Sequence, residues 1–335
     1  MQRQQQLSQW LHSQFPKQPF TLAPASADAS FRRYFRATFA DGQTRVVMDA
    51  PPQHEDCRPF LHIAQLFENA GIHVPHVYAH DLKQGFLLLS DLGNTTYLQA
   101  LSEGNADTAR TLYGAATDAL IKIQLASREN ELPPYDEALL LREMRLFPEW
   151  YIGNHLNATL SEAQNAKLET VFARIIANNL AQPRVYVHRD YHSRNLMQLE
   201  ENNPGILDFQ DAVYGPITYD LASLFKDAYI RWEEAEIIDW LVRYWEKARK
   251  VSLPVADDFS VFYRDYEWMG VQRHLKVLGI FARLYHRDGK DGYLKDLPLV
   301  MAYLRAACAR YIDLKPLLNL LDTLEPQNHK EGYTF

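Results

Sequence analysis

The sequence is short of glycine and cysteine, and it has no long apolar run. Only 14 of its 335 residues are glycine, which argues against a glycine-rich nucleotide loop. The two cysteines, Cys57 and Cys308, stand far apart and outside any metal-binding spacing, so we expect neither a disulfide nor a zinc site. No apolar stretch approaches the ~20 residues needed to cross a bilayer, and the glutamine-rich start lacks a signal-peptide core. These absences predict a cytoplasmic protein.

An excess of positive charge is also missing. Lysine and arginine together number 35 against 42 for aspartate and glutamate, and the net charge is −7. A chain of this balance has no bulk attraction for nucleic acid or an anionic membrane, so we expect neither as a partner. The composition, 47% hydrophobic and 23% charged, is that of an ordinary globular protein. The length of 335 residues predicts two lobes or domains. Nothing in the sequence sets an oligomeric state.

The hydrophobic pattern changes along the chain from strand-like to helical. The elements predicted first are strands within 20–49, a helix at 60–69, and strands at 74–78 and 85–89. Helical periodicity then covers 106–126, 136–156, 161–180, 233–250, 258–285 and 297–323, interrupted by one β-rich insert at 184–209. The predicted fold is therefore α+β, with a small β-rich lobe at residues 1–93 and a large helical lobe at 94–335.

One part of the β-rich insert carries the clearest functional signal. It reads His188-Arg189-Asp190, then four residues and Asn195, and Asp208 follows thirteen positions later in front of a phenylalanine. This is the H-R-D-x-x-x-x-N and D-F-x spacing of the catalytic and metal loops of kinase-type phosphotransferases. Each motif follows a short apolar strand, as expected for a loop that presents side chains to a cleft. The pattern predicts phosphoryl transfer.

These residue types suit that chemistry for a physical reason. Phosphoryl transfer needs an attacking oxygen held in line and the charge on the phosphates neutralised. Asp190 can accept a hydrogen bond from the acceptor hydroxyl, and its low ordinary pKa makes it an orienting group and late proton acceptor. Asn195 and Asp208 offer oxygen ligands to Mg²⁺, which uses few protein carboxylates and keeps several waters. The alternative, that these three residues only form turns, is much weaker.

Other residues of these loops keep more than one interpretation. We expect His188 to be structural, since a metal pair formed with His192 is improbable on a loop. Arg189 could be a surface charge, an ion-pair partner or a substrate contact. Asp211 is equally well read as a second metal ligand or as a turn former.

The segment from residue 207 to 222 resembles the aminoglycoside phosphotransferase family of small-molecule kinases, through Asp208-Phe209-Gln210-Asp211 and Tyr219-Asp220-Leu221-Ala222. The resemblance implies a two-lobed, protein-kinase-like fold with ATP and Mg²⁺ bound in the cleft. It also implies that Asp220 is structural and lies in a helix that supports the metal loop.

Three further segments, at residues 30–36, 48–52 and 85–93, are similar to one branch of that family. Its members are bacterial anomeric sugar kinases that phosphorylate N-acetylmuramate and N-acetylglucosamine at C1. This similarity implies an ATP-dependent kinase for small amino sugars in cell-wall sugar recycling. The alternatives are a related kinase for an aminoglycoside, choline or a hexose, and a catalytically inactive nucleotide-binding scaffold.

The resemblance also implies a nucleotide site, in which the residues that bind the phosphates differ from the usual ones. It implies that backbone groups of Leu89-Ser90-Asp91-Leu92 bind adenine and that strands around residues 25–36, including Ser30, cover the phosphates. However, the usual glycine-rich motif and the strand lysine are both missing. We hypothesise that Arg33, or Arg32, supplies the missing positive charge. That these arginines only line a solvent face is an equally supported alternative.

Candidates for contact with the acceptor sugar lie near the catalytic loop and in the helical part of the chain. An arginine could pair with the carboxylate of N-acetylmuramate, and a tryptophan could stack on a sugar face. The candidates are His192, Arg194, Arg231 and Trp232, with Trp268, Arg273 and His274 further along the chain.

Overall fold

A computed structural model describes residues 2–27 and 31–326. The helices and strands of its first part are α1 Gln2–Gln14, β1 Phe20–Ala27, β2 Arg33–Phe39, β3 Thr44–Asp49, α2 Arg58–Asn69, β4 Val77–Asp81, β5 Phe86–Ser90, α3 Tyr97–Glu103 and α4 Ala106–Leu125. The rest contains α5 Glu137–Met144, a π-helical segment Phe147–His155, α6 Glu162–Leu180, β6 Arg184–Val187, β7 Leu196–Met197, β8 Gly205–Ile206, β9 Val213–Pro216, α7 Tyr219–Phe225, α8 Glu234–Lys250, α9 Phe259–His286, a 3₁₀ segment Asp291–Asp296, α10 Leu297–Arg310, a 3₁₀ segment Ile312–Leu314 and α11 Lys315–Leu324.

The internal contacts of the chain define two compact units. Within the described residues, the first unit combines the chain up to Ile123 with Arg194–Ala212, and the second combines Gln124–Ser193 with the chain from Val213 onward. The chain therefore leaves the second unit after Ser193, within the H-R-D-x-x-x-x-N motif, adds the excursion Arg194–Ala212 to the first unit, and then returns to the second.

The first unit is built on an antiparallel five-stranded sheet in the order β1-β2-β3-β5-β4. Helix α1 has apolar side chains at the i, i+3, i+4 spacing of one helical face, namely Leu7, Trp10 and Leu11. These side chains pack with inward-facing residues of the sheet such as Phe35 and Val47 to form one buried cluster. The alternation of buried and exposed residues along β2 follows from the two-residue period of a strand.

The second unit is organised around the long helix α9. Gly279 lies so close to Leu146 that an added Cβ would stand 2.4 Å from the carbonyl carbon of that residue, so the close approach requires glycine. Most of the helix is buried, including five polar or charged residues: Glu267, Gln272, Arg273, His274 and Lys276. Buried charges need partners, and these partners define much of the site described below.

Most predicted elements are confirmed, and three differ. The strand expected at 74–78 is β4 at Val77–Asp81, because Pro75 has no N–H to donate to a ladder. The helix expected at 136–156 divides before Pro148, where the α-helical ladder cannot continue. The helix expected at 297–323 is interrupted at Tyr311, whose backbone is extended. Helix α3 and strand β9 were not predicted.

Two other predictions concern the organisation of the chain. The lobe boundary at residue 93 stays a prediction, although the first contact-defined unit extends to Ile123. Among residues 2–27 and 31–326, no helix is long and apolar enough to cross a bilayer.

Candidate active site

The catalytic motif lies on a loop that a buried carboxylate holds in place. The loop follows β6, which pairs with β9. Asp220, fully buried at the start of α7, accepts hydrogen bonds from the backbone N–H groups of His188 at 2.7 Å and Arg189 at 3.0 Å. Arg189 has a φ of +77°, a strained conformation that these two bonds help to fix. The contacts of Asp220 thus go to the catalytic loop, whereas the resemblance implied a role beneath the metal loop.

His188 and Asp190 face each other within this loop. The His188 ring is fully buried, its Nδ1 accepts a hydrogen bond from the Asp190 N–H at 3.3 Å, and its edge meets Tyr191. Burial raises the pKa of Asp190, but the positive charges of Lys276, His192, Arg273 and Arg189 outweigh it and lower that pKa to about 2. Asp190 is therefore ionised at neutral pH and ready to accept a hydrogen bond.

The two acidic residues under this loop differ in their charge state. Burial raises the pKa of Asp220 to about 7, and the nearby Asp190 carboxylate adds to the effect. The two backbone hydrogen bonds and Arg273 act in the opposite direction but do not overcome burial. Asp220 therefore titrates close to neutrality, whereas Asp190 does not.

A buried cluster around Glu143 supports the catalytic loop from below. Glu143, on α5, accepts a hydrogen bond from the Arg189 guanidinium at 2.5 Å and pairs with Lys276 at 3.2 Å. Gln272 donates to its other oxygen at 3.0 Å, and the Tyr135 hydroxyl also donates to it. Burial opposes its ionisation, but Lys276 and Arg189 hold the pKa of Glu143 below its ordinary value.

Sequence reasoning missed this cluster, although one signal was available. Glu143 falls on the same helical face as the buried Leu140 and Phe147, at the spacing of a core-facing stripe. A carboxylate at such a position requires a buried cation, which the sequence does not identify. Lys276 is 133 positions away on α9, where its ammonium also donates to the Tyr219 hydroxyl at 3.1 Å.

A third buried carboxylate, Asp227, ties the catalytic loop to the loop that follows α7. Its Oδ2 accepts from the Ser193 N–H at 3.0 Å and from the Ser193 hydroxyl at 2.5 Å. Its Oδ1 accepts from the Tyr229 N–H at 3.1 Å. The His192 ring stands edge-on to Tyr229 at 5.5 Å between ring centres. Asp227 is fully buried, so its three hydrogen bonds are not shared with water.

The metal loop belongs to the first unit. Asn195 precedes β7 and Asp208 closely follows β8, and the two short strands pair antiparallel, so both residues lie at one end of this hairpin. The Leu207 N–H donates to the Asn195 carbonyl at 2.9 Å. Asp208 has a φ of +61°, and the next residue, Phe209, is fully buried against the rings of α2. The buried ring anchors a loop whose carboxylate remains partly exposed.

The charge partners of Asp208 separate the two arginine candidates. The Arg32 guanidinium lies 3.3 Å from Asp208 Oδ1, and Gln210 donates to the same oxygen at 2.9 Å. Arg33 instead forms an ion pair with Asp49, which also pairs with Arg3 at 2.7 Å. Arg32 therefore lies beside the predicted metal ligand, and Arg33 is engaged elsewhere.

The residues predicted to contact adenine are largely committed to the sheet. Leu89 is buried in β5, and Leu92 is buried beyond its end. Ser90 donates its N–H to the His76 carbonyl at 2.9 Å, and its hydroxyl accepts from the His76 N–H at 2.9 Å. Asp91 accepts two hydrogen bonds from Arg36, at 2.5 and 2.9 Å. Only the backbone groups of the segment are therefore candidates to bind a base.

The remaining predicted site residues differ in how far they are exposed to solvent. Ser30 lies outside the described residues. Arg194 is half-buried at the start of the excursion, and Asp211 is exposed near Gln210. Arg231 is exposed, and Trp232 is half-buried with its ring edge-on to Trp240 at 5.3 Å. Among the described residues, no group of three or more His, Cys, Asp or Glu side chains could hold a metal ion by itself.

Known proteins resemble this chain in sequence and in fold. The profile of the phosphotransferase enzyme family matches residues 21–254. A protein named N-acetylmuramate/N-acetylglucosamine kinase from Neisseria meningitidis serogroup B is 50% identical over 337 residues, covering 100% of both chains. One of the same name from Pseudomonas putida is 52% identical over 305 residues, covering 91% of this chain and 88% of its own.

Solved structures resemble the fold as well. The crystal structure of aminoglycoside phosphotransferase APH(2'')-Ib with ADP bound has a TM-score of 0.60 at 16% identity, covering 89% of this chain and 97% of the other. At that identity the likeness concerns the fold alone, and it confirms the predicted kinase-like fold class.

Proposed function

Because the chain belongs to the phosphotransferase enzyme family, we propose that it is an ATP-dependent kinase for the anomeric C1 hydroxyl of N-acetylmuramate and N-acetylglucosamine. The observation that carries this proposal is the 50% identity, over the full length of both chains, to a kinase named for those two sugars. Cell-wall sugar recycling and a cytoplasmic location remain predictions from the sequence.

Asp190 is the catalytic residue of the proposed reaction. Its carboxylate stays ionised at neutral pH because Lys276 and the neighbouring arginines and histidine lower its pKa to about 2. Such a weak base orients the attacking hydroxyl and takes its proton late in the transfer. An anomeric hydroxyl is more acidic than an ordinary alcohol, so this modest base suffices for the proposed acceptor.

The metal loop suits a magnesium ion by the chemistry of its donors. Asp208 offers a partly exposed carboxylate in a fixed, left-handed backbone conformation, and Asn195 offers an amide oxygen at the same end of the hairpin. Mg²⁺ needs only one or two protein carboxylates, since water and phosphate oxygens complete its octahedral shell. Bound there, the ion would neutralise phosphate charge.

Arg32 is the proposed replacement for the missing strand lysine. Its side chain is only 10% exposed, and its guanidinium already lies beside the Asp208 carboxylate. A guanidinium in that position can pair with two phosphate oxygens at once. The backbone of Asp91 and Leu92 is proposed to bind the adenine base.

The experiment that tests the proposed function is an ADP-release assay with purified protein over a panel of acceptors. The panel contains both amino sugars, glucose, choline and an aminoglycoside, and Asp190→Asn serves as the blank. We expect release only with the amino sugars, and ³¹P NMR of the product should show a C1 phosphate. A faster rate with another acceptor would replace the proposed substrate, and equal rates for wild type and Asp190→Asn would overturn the mechanism.

A further inference from the structure

The loop at residues 226–233, between α7 and α8, is held directly against the catalytic loop. We call it the acceptor loop. The buried Asp227 accepts hydrogen bonds from Ser193 on one loop and from Tyr229 on the other. Ser193 stands three positions after Asp190. The Asp227 carboxylate therefore fixes the position of Tyr229 relative to the catalytic loop that carries Asp190. A rigid link of this kind gives an acceptor a defined position.

A row of aromatic rings begins at the catalytic loop and passes through the acceptor loop. The centre of the His192 ring lies 5.5 Å from that of Tyr229, and Tyr229 lies 6.0 Å from Phe281. Phe281 lies 5.1 Å from Tyr293. His192 and Phe281 are buried, whereas Tyr229 and Tyr293 are partly exposed. The buried rings support the two tyrosines, each of which keeps part of its surface exposed.

The same loop also carries an exposed cation. Arg231, two positions after Tyr229, is exposed, and its guanidinium forms no hydrogen bond or ion pair within residues 2–27 and 31–326. Most other arginines close to the catalytic loop are engaged, as Arg189 is with Glu143 and Arg273 is with Ser223. The guanidinium of Arg231 is therefore available for an external anion.

This pairing of a supported ring and a neighbouring cation has the chemistry of an acidic sugar site. The C–H face of a pyranose packs on an aromatic ring, while a few placed polar groups set its orientation. A carboxylate on the sugar would pair with a guanidinium. N-acetylmuramate carries such a carboxylate and N-acetylglucosamine does not, so the two acceptors separate the contributions of the two residues.

We propose that the acceptor loop forms one wall of the sugar site, with Tyr229 packing on the pyranose ring and Arg231 pairing with the carboxylate of N-acetylmuramate. This inference rests on the proposed function, because it takes the two amino sugars as acceptors. Asp227 is a positioning residue in this arrangement and does not touch the sugar.

The test compares KM values for the two sugars in four variants. Tyr229→Leu keeps an apolar side chain but loses the ring, and we expect KM to rise about tenfold for both sugars. Tyr229→Phe should stay close to wild type. Arg231→Gln should raise KM about tenfold for N-acetylmuramate and less than about twofold for N-acetylglucosamine. Tyr285→Leu, an exposed tyrosine on α9 outside the row, is the matched control.

The KM for ATP should stay within about twofold of wild type in every variant, which separates loss of acceptor binding from general damage to the fold. Wild-type activity on both sugars with an unchanged KM in Tyr229→Leu would overturn this inference and leave the proposed function standing. An equal shift for both sugars in Arg231→Gln would overturn the carboxylate assignment. A wild-type protein inactive on both sugars would overturn the proposed function and this inference with it.

Discussion

Each of the two units contains a buried carboxylate between two cations, Asp49 in the first and Glu143 in the second, and the surroundings of these two clusters differ. In the first unit, Asp49 pairs with Arg3 and Arg33, whose side chains are 26% and 50% exposed. In the second unit, Glu143 pairs with Arg189 and Lys276, which are 20% and 7% exposed. The difference lies in Arg33, which reaches solvent, and Lys276, which is enclosed, whereas Arg3 and Arg189 are exposed to a similar degree.

This difference separates a structural ion pair from one that also acts on Asp190, the proposed catalytic residue. Arg3 joins α1 to the sheet through Asp49 and also donates to the Gln84 carbonyl at 2.6 Å. Arg189 and Lys276, by contrast, both lower the pKa of Asp190. Positive charge that cannot reach water acts on every nearby carboxylate, because little solvent screens it. The Glu143 cluster therefore supports both the loop and the ionised state of Asp190, the proposed base.

The most severe test of this comparison is Asp190→Asn. The change keeps the shape of the side chain but removes both the proton acceptor and one negative charge near the buried cations. We expect kcat to fall about 10²–10⁴-fold, the range for loss of a general base. Steady-state ADP release at saturating ATP and sugar measures it. A kcat within about tenfold of wild type would place the base elsewhere.

Removal of the Glu143 carboxylate should destabilise the protein more than removal of the Asp49 carboxylate. Glu143→Ala leaves Arg189 and Lys276 without their main anion, and we expect a loss of about 3–5 kcal/mol in the free energy of unfolding. Asp49→Ala should cost less, about 1–3 kcal/mol, because its arginines can turn into water. Urea denaturation of both variants gives the two values. Equal losses would remove the distinction between an enclosed and a solvent-facing cluster.

The neighbouring arginines Arg32 and Arg33 should differ in the binding and use of ATP. Arg32 lies beside Asp208, so Arg32→Gln should lower kcat/KM for ATP about tenfold through loss of a charged contact to phosphate. Arg33 belongs to the Asp49 cluster, so Arg33→Gln should leave the same value within about twofold. Initial rates over a range of ATP concentrations decide between them. A larger effect at Arg33 would reverse the assignment.

The smallest expected effect is a change of rate with pH. Burial raises the pKa of Asp220 to about 7, so its carboxyl gains a proton in the folded protein as the pH falls through neutrality. The neutral acid accepts the His188 and Arg189 N–H bonds less strongly, and we expect kcat to fall less than tenfold below pH 7. Asp190 adds no decline there, since its pKa is about 2.

The same shift sets the sign of a stability effect. Because the folded-state pKa of Asp220 lies above its unfolded value, its contribution favours the native state at low pH and weakens as the pH rises from about 4 to 7.

The control for the profile of kcat against pH is His192→Gln, which should keep the fall of kcat below pH 7. Disappearance of the decline in that variant would assign it to His192.

Local patterns predicted much of the fold and the reacting motif. Alternation along β2, the apolar stripe of α1 and the H-R-D-x-x-x-x-N spacing are all contained in short stretches of sequence. Such features need no knowledge of distant contacts. The departures at Pro75 and Pro148 are local as well, and the missing proline N–H could have predicted both.

The support of the site could not be predicted in the same way. Glu143 meets Gln272 and Lys276 across more than a hundred residues, and no periodicity links α5 to one face of α9. The choice between Arg32 and Arg33 depends on which carboxylate each side chain reaches, Asp208 or Asp49. Pairings of this kind are properties of tertiary packing, so only the folded chain reveals them.

The excursion at Arg194–Ala212 has a consequence for the order of folding during synthesis. The first unit lacks its metal-loop hairpin until residue 212 has left the ribosome, although its sheet is complete by Ser90. Chains fold from the N-terminus as they emerge, so most of the first unit must wait through some 70 residues of the second. A single cut at residue 123 would thus yield a fragment without its hairpin, and no circular permutation would make the first unit continuous, because the segments of the two units alternate along the chain.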